Sequence, residues 1–354
     1  MKEALLYVAL DNLVVHCQLC AHGCKIGEGK FGFCGVRQNI KGRLYANNYS
    51  KIVAANVDPI EKKPLYHFLA GTKTFSIASA GCNFQCGFCQ NWQISQVDPR
   101  SLALTGTSLD KRLEVLDYIN QNPGEKIAAA QIVKLAKQNG CQSIAYTYTE
   151  PTIYFEFALE VAKLAKAAGL YNIFVTNGYM SAAALEMIRP YLDAANVDLK
   201  FFKKSSYQKI CSAKLKPVLD SIQLLNEAKI WTEITTLVIP GENDGAKELS
   251  AIANFIAGVN KNIPWHLSAF HADYKFNTYP NTPENTLKMA YDLGKKQGLH
   301  YVYAGNIWGW GQDTICSNCS KTLIKREGFM VIENNVLANR CKFCHAQLPG
   351  FYFS

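Results

Sequence analysis

The chain has no apolar stretch at its start of the kind a membrane or a secretion pathway reads. Met1 to Val15 carries Lys2, Glu3 and Asp11, and no small-residue cleavage site follows. This pattern argues against a signal peptide or membrane span there. Disulfide-framework spacing is also missing, because all but two of the thirteen cysteines among 354 residues fall into tight groups. Grouped Cys-x2-Cys pairs in a chain of this size read as metal ligands in a reducing compartment, and a cytoplasmic location is expected. Nor is charge of one sign concentrated enough to demand nucleic acid, since the net +9 is spread along the whole chain. The densest basic stretch (Lys200, Lys203, Lys204, Lys209, Lys214 and Lys216) is expected as a solvated face.

What is present is concentrated in one run, Gly81-Cys82-Asn83-Phe84-Gln85-Cys86-Gly87-Phe88-Cys89-Gln90-Asn91-Trp92. Its spacing is Cys-x3-Cys-x2-Cys, with no fourth cysteine nearby. Three thiolates can hold three irons of a cubane [4Fe-4S] cluster, whereas electron-transfer clusters use four cysteines. The remaining iron is open, as an open position distinguishes catalytic from structural zinc. Such an iron can chelate the amino and carboxylate groups of S-adenosylmethionine (SAM) and pass an electron into its sulfonium. Methionine and a 5'-deoxyadenosyl radical result, and the radical takes hydrogen from unreactive C–H bonds. Glycines and polar residues set this loop apart from core cysteines, which pack as small hydrophobes. The motif, with Phe88 before the last cysteine and a predicted strand before the loop, resembles the radical SAM superfamily.

The middle of the chain alternates strands with amphipathic helices. Strands are expected at 74–80, 143–148, 171–176, 195–200, 232–239, 265–270 and 301–304. Helices are expected at 127–138, 153–168, 181–189, 218–228, 247–257 and 283–297. Gly140, Gly169 and Gly298 stand where C-terminal glycines end helices. The alternation implies parallel strands with right-handed crossovers. The fold expected is α/β, a partial (β/α)6-type TIM barrel of the radical SAM type, with catalytic groups on the rim at the strands' C-terminal ends. The domains expected are an N-terminal cysteine-rich knuckle at 1–50, the barrel at 51–307 and a zinc-ribbon-like module at 308–354. An insertion at 98–126, with a helix near 111–120, has no assigned purpose. Cys141 and Cys211 stand alone and are expected as buried thiols.

The rim residues carry the resemblance further. Radical SAM enzymes commonly show Gly-Gly-Glu-Pro after a strand, the glutamate bonding the SAM ammonium; here Tyr148-Thr149-Glu150-Pro151 keeps the acid and proline but not the glycines. Thr176-Asn177-Gly178 resembles the Asp-Thr-Asn-Gly of pyruvate formate-lyase activating enzymes, with Val175 in place of the cation-binding Asp. Thr176 and Asn177 are thereby candidates for the ribose or carboxylate of SAM. Val197-Asp198-Leu199-Lys200 matches their Asp-Leu-Lys, and Pro264-Trp265-His266 their Pro-Tyr-His. The resemblance thus nominates Phe88, Glu150, Thr176, Asn177, Asp198, Lys200 and His266 for cofactor binding. Plain structural roles compete at each: a helix cap for Glu150, a turn for Asn177-Gly178, an ion pair for Asp198 and a packed core position for His266.

Three further segments are polar and expected at the barrel mouth, where substrate selection usually lives: Pro59-Ile60-Glu61-Lys62-Lys63-Pro64-Leu65-Tyr66-His67-Phe68, His271 to Lys275, and Tyr303-Ala304-Gly305-Asn306. With the N-terminal cysteines, the Cys82 run and Tyr148-Thr149-Glu150-Pro151, they resemble the AmmeMemoRadiSam-system radical SAM proteins over nearly the whole chain. Other proteins of that system are implied as partners.

Two outer cysteine groups remain. Cys316-x2-Cys319 and Cys341-x2-Cys344 are separated by 21 residues, close to a zinc ribbon with a closed tetrahedral site, although four thiolates also suit a single iron. Cys17-x2-Cys20-x3-Cys24-x9-Cys34 is less standard. It suits zinc or an auxiliary iron–sulfur cluster, with His16 and His22 as substitute ligands. The function expected is a radical SAM oxidoreductase using a [4Fe-4S] cluster held by Cys82, Cys86 and Cys89. An external one-electron reductant feeds it, and its substrate is a protein, glycyl-radical enzymes included, or a small molecule. The alternative is a non-catalytic iron–sulfur carrier or a zinc-ribbon adaptor for nucleic acid or protein, with binding that weakens steeply in salt.

Overall fold

The structure is a computed structural model that describes residues 1–96, 124 and 126–351. The insertion at 98–126 and its expected helix lie outside the described residues, apart from Gly124 and Lys126. Packing divides the chain into two compact units, Met1–Asp58 with Lys73–Asp193 and Pro59–Thr72 with Ala194–Ser354. The division follows packing rather than the cysteine blocks, so one outer cysteine group falls in each unit.

In the first unit the strands Lys73–Ala78, Ser143–Tyr146 and Tyr171–Thr176 pair in parallel, with Thr74, Ser143 and Tyr171 in register. The strand Ala54–Pro59, too polar to be read as one in sequence, flanks Lys73–Ala78. Phe75, Ile77, Ile144, Tyr146, Ile173 and Phe174 are buried along these strands, and continuous apolar runs are what parallel strands covered on both faces require. The helices Ala129–Gln138 and Phe155–Ala167 supply crossovers, and Gly140 (φ +67°) and Gly169 (φ +78°) end them in the left-handed conformation that glycine adopts freely. The N-terminal segment forms two small antiparallel sheets. It is tied to Phe155–Ala167 by a buried bidentate pair, Arg37 Nη1 and Nη2 to Glu156 at 2.9 and 2.7 Å.

In the second unit Ala194–Asp198, Trp231–Val238, Trp265–Ala269 and Val302–Gly305 pair in parallel in that order. The helices Leu215–Glu227, Ala246–Val259 and Glu284–Lys296 match the sequence expectation. A further helix, Lys204–Cys211, lies inside the basic stretch; Lys203, Lys204, Lys209, Lys214 and Lys216 are exposed, as a solvated face requires. The C-terminal module pairs Thr322–Glu327 with Met330–Asn334 around a hairpin at Gly328. Cys141 and Cys211 are buried.

Candidate functional site

Three loops leave the C-terminal ends of the three parallel strands of the first unit, and they carry Cys82, Glu150 and Asn177 respectively. A rim of that kind is where α/β barrels gather function. The cysteine loop is shaped by N–H···S contacts. The Phe84 amide donates to Cys82 Sγ at 3.3 Å, and Cys89 Sγ lies 3.0 Å from Ser95 Oγ. Gly81 (φ +94°) starts the loop in a conformation a side chain would strain. Phe88 is buried.

Glu150 is the hub of the network. Its carboxylate accepts from the Thr152 amide (3.1 Å), Thr152 Oγ1 (2.5 Å), Thr176 Oγ1 (2.8 Å) and the Asn177 amide (2.7 Å). Burial pushes its carboxyl up from the usual range, against these hydrogen bonds. Asn177 closes the circuit, donating from Nδ2 to Asn83 Oδ1 at 2.7 Å beside Cys82. Glu150 is therefore both the helix cap weighed in sequence and a link to the cysteine loop.

Tyr148 stands where the resembled pattern has glycine, and its backbone takes the glycine conformation, φ +62°. For an L-residue this costs about 1–2 kcal/mol. The phenol is anchored against Asp58 and receives Asn56 Nδ2 at 3.1 Å, while the Tyr148 carbonyl accepts from Asn91 Nδ2 at 3.0 Å. The strained turn thus meets the end of the cysteine loop without glycine.

The donors fit an iron–sulfur group. Three soft sulfurs share one loop; Cys82 Sγ accepts from the Phe84 amide and Cys89 Sγ lies within reach of the Ser95 hydroxyl, and metal thiolates accept such bonds. Burial, then the charge of Glu150, drives the Cys82 thiol well above its ordinary value. A bound cation would favour the thiolate there. The Asn83 amide nitrogen is buried with no hydrogen-bond partner, a donor left over at the same place.

The remaining nominated residues lie in the second unit. Asp198 and Lys200 pair at 2.8 Å and are half-buried. His266 is buried and bonded through Nε2 to Glu233 at 2.6 Å. Glu233 also accepts from the amides of Tyr66 and His67 and from Trp231 Nε1. Burial opposes its charge, but the His266 bond and these donors hold its carboxyl below the ordinary range. Sequence reading missed Glu233 because an acid inside a strand leaves no spacing signal. It missed Asn83 and Thr152 because both sit between residues already assigned.

The segment expected at the barrel mouth is instead interior. Glu61, Lys63, Tyr66, His67 and Phe68 are all buried. Arg326 of the C-terminal module lies over the Tyr66 ring at 4.1 Å and donates to the Tyr66 carbonyl at 2.9 Å. His67 bonds the Tyr303 hydroxyl at 2.6 Å, and burial lowers its pKa to about 4, so it is neutral at pH 7. Their polarity serves this packing. His271, Lys275 and Asn306 do remain exposed.

The outer cysteines differ from one another. In the C-terminal group Cys316 Sγ lies 3.7 Å from Cys344 Sγ, Cys319 Sγ lies 3.7 Å from Cys341 Sγ, and all four sulfurs fall within 4.8 Å. Tetrahedral Zn–S bonds of about 2.3 Å place sulfurs about 3.8 Å apart. The N-terminal four instead line a pocket together with Arg37 and Asn83.

Residues 76–256, about half the chain, match the family model described as the Radical SAM superfamily. An uncharacterized protein of Methanocaldococcus jannaschii is 40% identical over 348 residues, covering 97% of this chain and 98% of its own. The 4-hydroxyphenylacetate decarboxylase activating enzyme of Clostridium scatologenes is 20% identical over 230 residues, covering 61% of this chain and 71% of its own. Among solved structures, a domain of a pyruvate-formate lyase-activating enzyme from Bacteroides vulgatus matches 46% of this chain and 99% of its own, with 18% identity and a TM-score of 0.42.

Proposed function

The chain belongs to the radical SAM superfamily; on that premise we propose that it generates a 5'-deoxyadenosyl radical and uses it to take hydrogen from a protein or small-molecule substrate. Cys82, Cys86 and Cys89 would hold a [4Fe-4S] cluster, which with SAM bound supplies the electron and the radical. The observation that carries this reading is the single network joining the cysteine loop, through Asn83 and Asn177, to the Glu150 carboxylate. Glu150 is held in place by four donors and offers negative charge to an ammonium group. Thr176 and Asn177 fix its orientation. Phe88, within the loop, excludes water. Asp198, Lys200 and His266, nominated for SAM by the family resemblance alone, lie in the second unit, where Glu233 fixes the His266 ring.

The resemblance to activating enzymes favours a glycyl-radical protein as substrate, and other proteins of the AmmeMemoRadiSam system as partners. The C-terminal four-cysteine group would bind a structural zinc, its sulfurs already at single-ion spacing. No helix among the described residues is long and apolar enough to cross a membrane. Thiolate clusters persist in reducing compartments, which supports a cytoplasmic enzyme fed by a low-potential one-electron donor.

The test is an anaerobic assay of the reduced, reconstituted protein for 5'-deoxyadenosine and methionine formed from SAM. Both are expected in equal amounts, and Cys86→Ala should make neither. Deuterium passing from a labelled glycine of a glycyl-radical protein into 5'-deoxyadenosine would fix the substrate class. Deoxyadenosine without such transfer would redirect the search to small molecules, and no deoxyadenosine at all would refute the reading.

A further inference from the structure

Cys17 ends the strand Val15–Cys17 and Cys20, Cys24 and Cys34 follow it at separate points of the N-terminal segment, yet all four line one pocket with Arg37 and Asn83. The turns between them depend on Gly23 (φ +54°) and Gly29 (φ +72°), and Gly35 (φ +72°) follows the last cysteine; glycine adopts left-handed backbone at no steric cost. Among the described residues only the C-terminal four cysteines bring their ligand atoms within 4.8 Å of one another, so the N-terminal sulfurs stand wider apart than a single-ion site. In the same chain the C-terminal cysteines show single-ion spacing, with sulfur pairs at 3.7 Å.

A second observation points to an anionic guest. Arg37 is 1% exposed and lines the pocket. Its Nη1 and Nη2 are taken by Glu156, but its Nε is buried with no hydrogen-bond partner. A buried guanidinium N–H left over beside four cysteines is a donor waiting for a sulfur acceptor, and hydrogen bonds to cluster sulfurs are a recognised means of tuning iron–sulfur centres. His22, the alternative ligand, already bonds the Asn83 carbonyl at 2.7 Å through Nε2 and stacks on Phe33.

We propose that Cys17, Cys20, Cys24 and Cys34 hold a second iron–sulfur cluster, a closed four-thiolate [4Fe-4S] centre lying against the loop that carries Cys82. The neighbourhood is direct: His22 and Asn83 bridge the two segments, the Ala21 amide donates to the Tyr179 carbonyl at 3.0 Å, and Cys20 pairs with Met180 in a β-bridge. With four thiolates no iron is open to SAM, so the chemistry of this centre is a one-electron couple. It gains one electron from an external low-potential donor and loses one on reoxidation.

The test uses the full chain with Cys82, Cys86 and Cys89 all changed to Ala, reconstituted anaerobically with iron and sulfide, and so does not depend on SAM cleavage. About four irons and four sulfides per chain are expected to remain, with a visible charge-transfer band and a paramagnetic signal on reduction. Adding Cys20→Ala and Cys34→Ala should remove them while the C-terminal metal stays bound. Loss of iron and sulfide in the first variant, with a zinc that disappears on adding the second pair, would overturn the proposal in favour of a mononuclear site. If the first variant does not fold, the wild-type protein decides: about eight irons support a second cluster, and about four irons with two zincs refute it.

Discussion

The two outer cysteine groups contain the same four thiols but solve different problems. At the C-terminus the sulfurs converge on one point within a small apolar cluster of Leu323, Ile324, Val336 and Leu348. So few buried side chains make a weak core, and the proposed zinc would supply the missing stability. At the N-terminus the sulfurs surround a space, and the segment is fastened independently by the buried Arg37–Glu156 pair. One group is a staple and the other is a container. Identical ligands therefore do not reveal a metal's role; what lies between them and what else holds the backbone do.

The largest effect expected falls on the staple. Changing Cys316 and Cys341 together to Ala would remove the proposed zinc, and such binding contributes on the order of 10 kcal/mol to folding in small zinc modules. Hydrogen exchange should show Thr322–Glu327 and Met330–Asn334 losing protection, while the N-terminal strands keep theirs. Equal loss at both ends would break the distinction.

Next comes the container's own fastening. Arg37→Met leaves Glu156 buried and unpaired, and breaking such a pair costs about 3–5 kcal/mol, read as a shift in denaturant midpoint. Lys216→Ala removes an exposed partner of Asp220 and should change stability by less than about 1 kcal/mol. The pair also has a pH signature. Burial alone would raise the Glu156 carboxyl, but the Arg37 charge and hydrogen bonds outweigh it and hold it below the ordinary range. A depressed carboxyl contributes stability that is complete above its unfolded pKa, about 4.3, and that is lost as pH falls through the folded value. In Glu156→Gln this acid-dependent part should vanish, which a pH series of denaturation midpoints would show.

A smaller effect is expected at Glu150, the hub of the network at the Cys82 loop. Glu150→Gln keeps the shape but removes the charge, and charged hydrogen bonds are worth about 1.5–3 kcal/mol. SAM affinity, measured by equilibrium dialysis on reconstituted protein, should fall roughly 10- to 100-fold, with iron content unchanged. The smallest is Tyr148→Phe, which strips the Asp58 contact and should lower stability by about 1 kcal/mol without moving the φ +62° backbone.

Much of this was legible in sequence where local chemistry decides. The strand Tyr171–Thr176 falls where its β-branched and aromatic run places it, and the glycines at 140, 169 and 298 do mark helix ends. Glu150, Thr176, Asn177 and Cys82 were nominated separately and meet in one network. What escaped depends on long-range pairing. Helix Lys204–Cys211 was hidden by its lysines, since only Tyr207, Ile210 and Cys211 are buried. The Pro59–Phe68 segment is polar and reads as a loop, yet it is interior because Arg326 and Glu233, far away in sequence, satisfy it.

The central claim is that the Cys82 loop and Glu150 form one cofactor site. The most direct measurement is the electron paramagnetic resonance of the reduced, reconstituted cluster with and without SAM. The account predicts a change in g-values when SAM is added, absent in Cys86→Ala and weakened in Glu150→Gln at the same SAM concentration. A fully loaded cluster whose spectrum ignores SAM would contradict it.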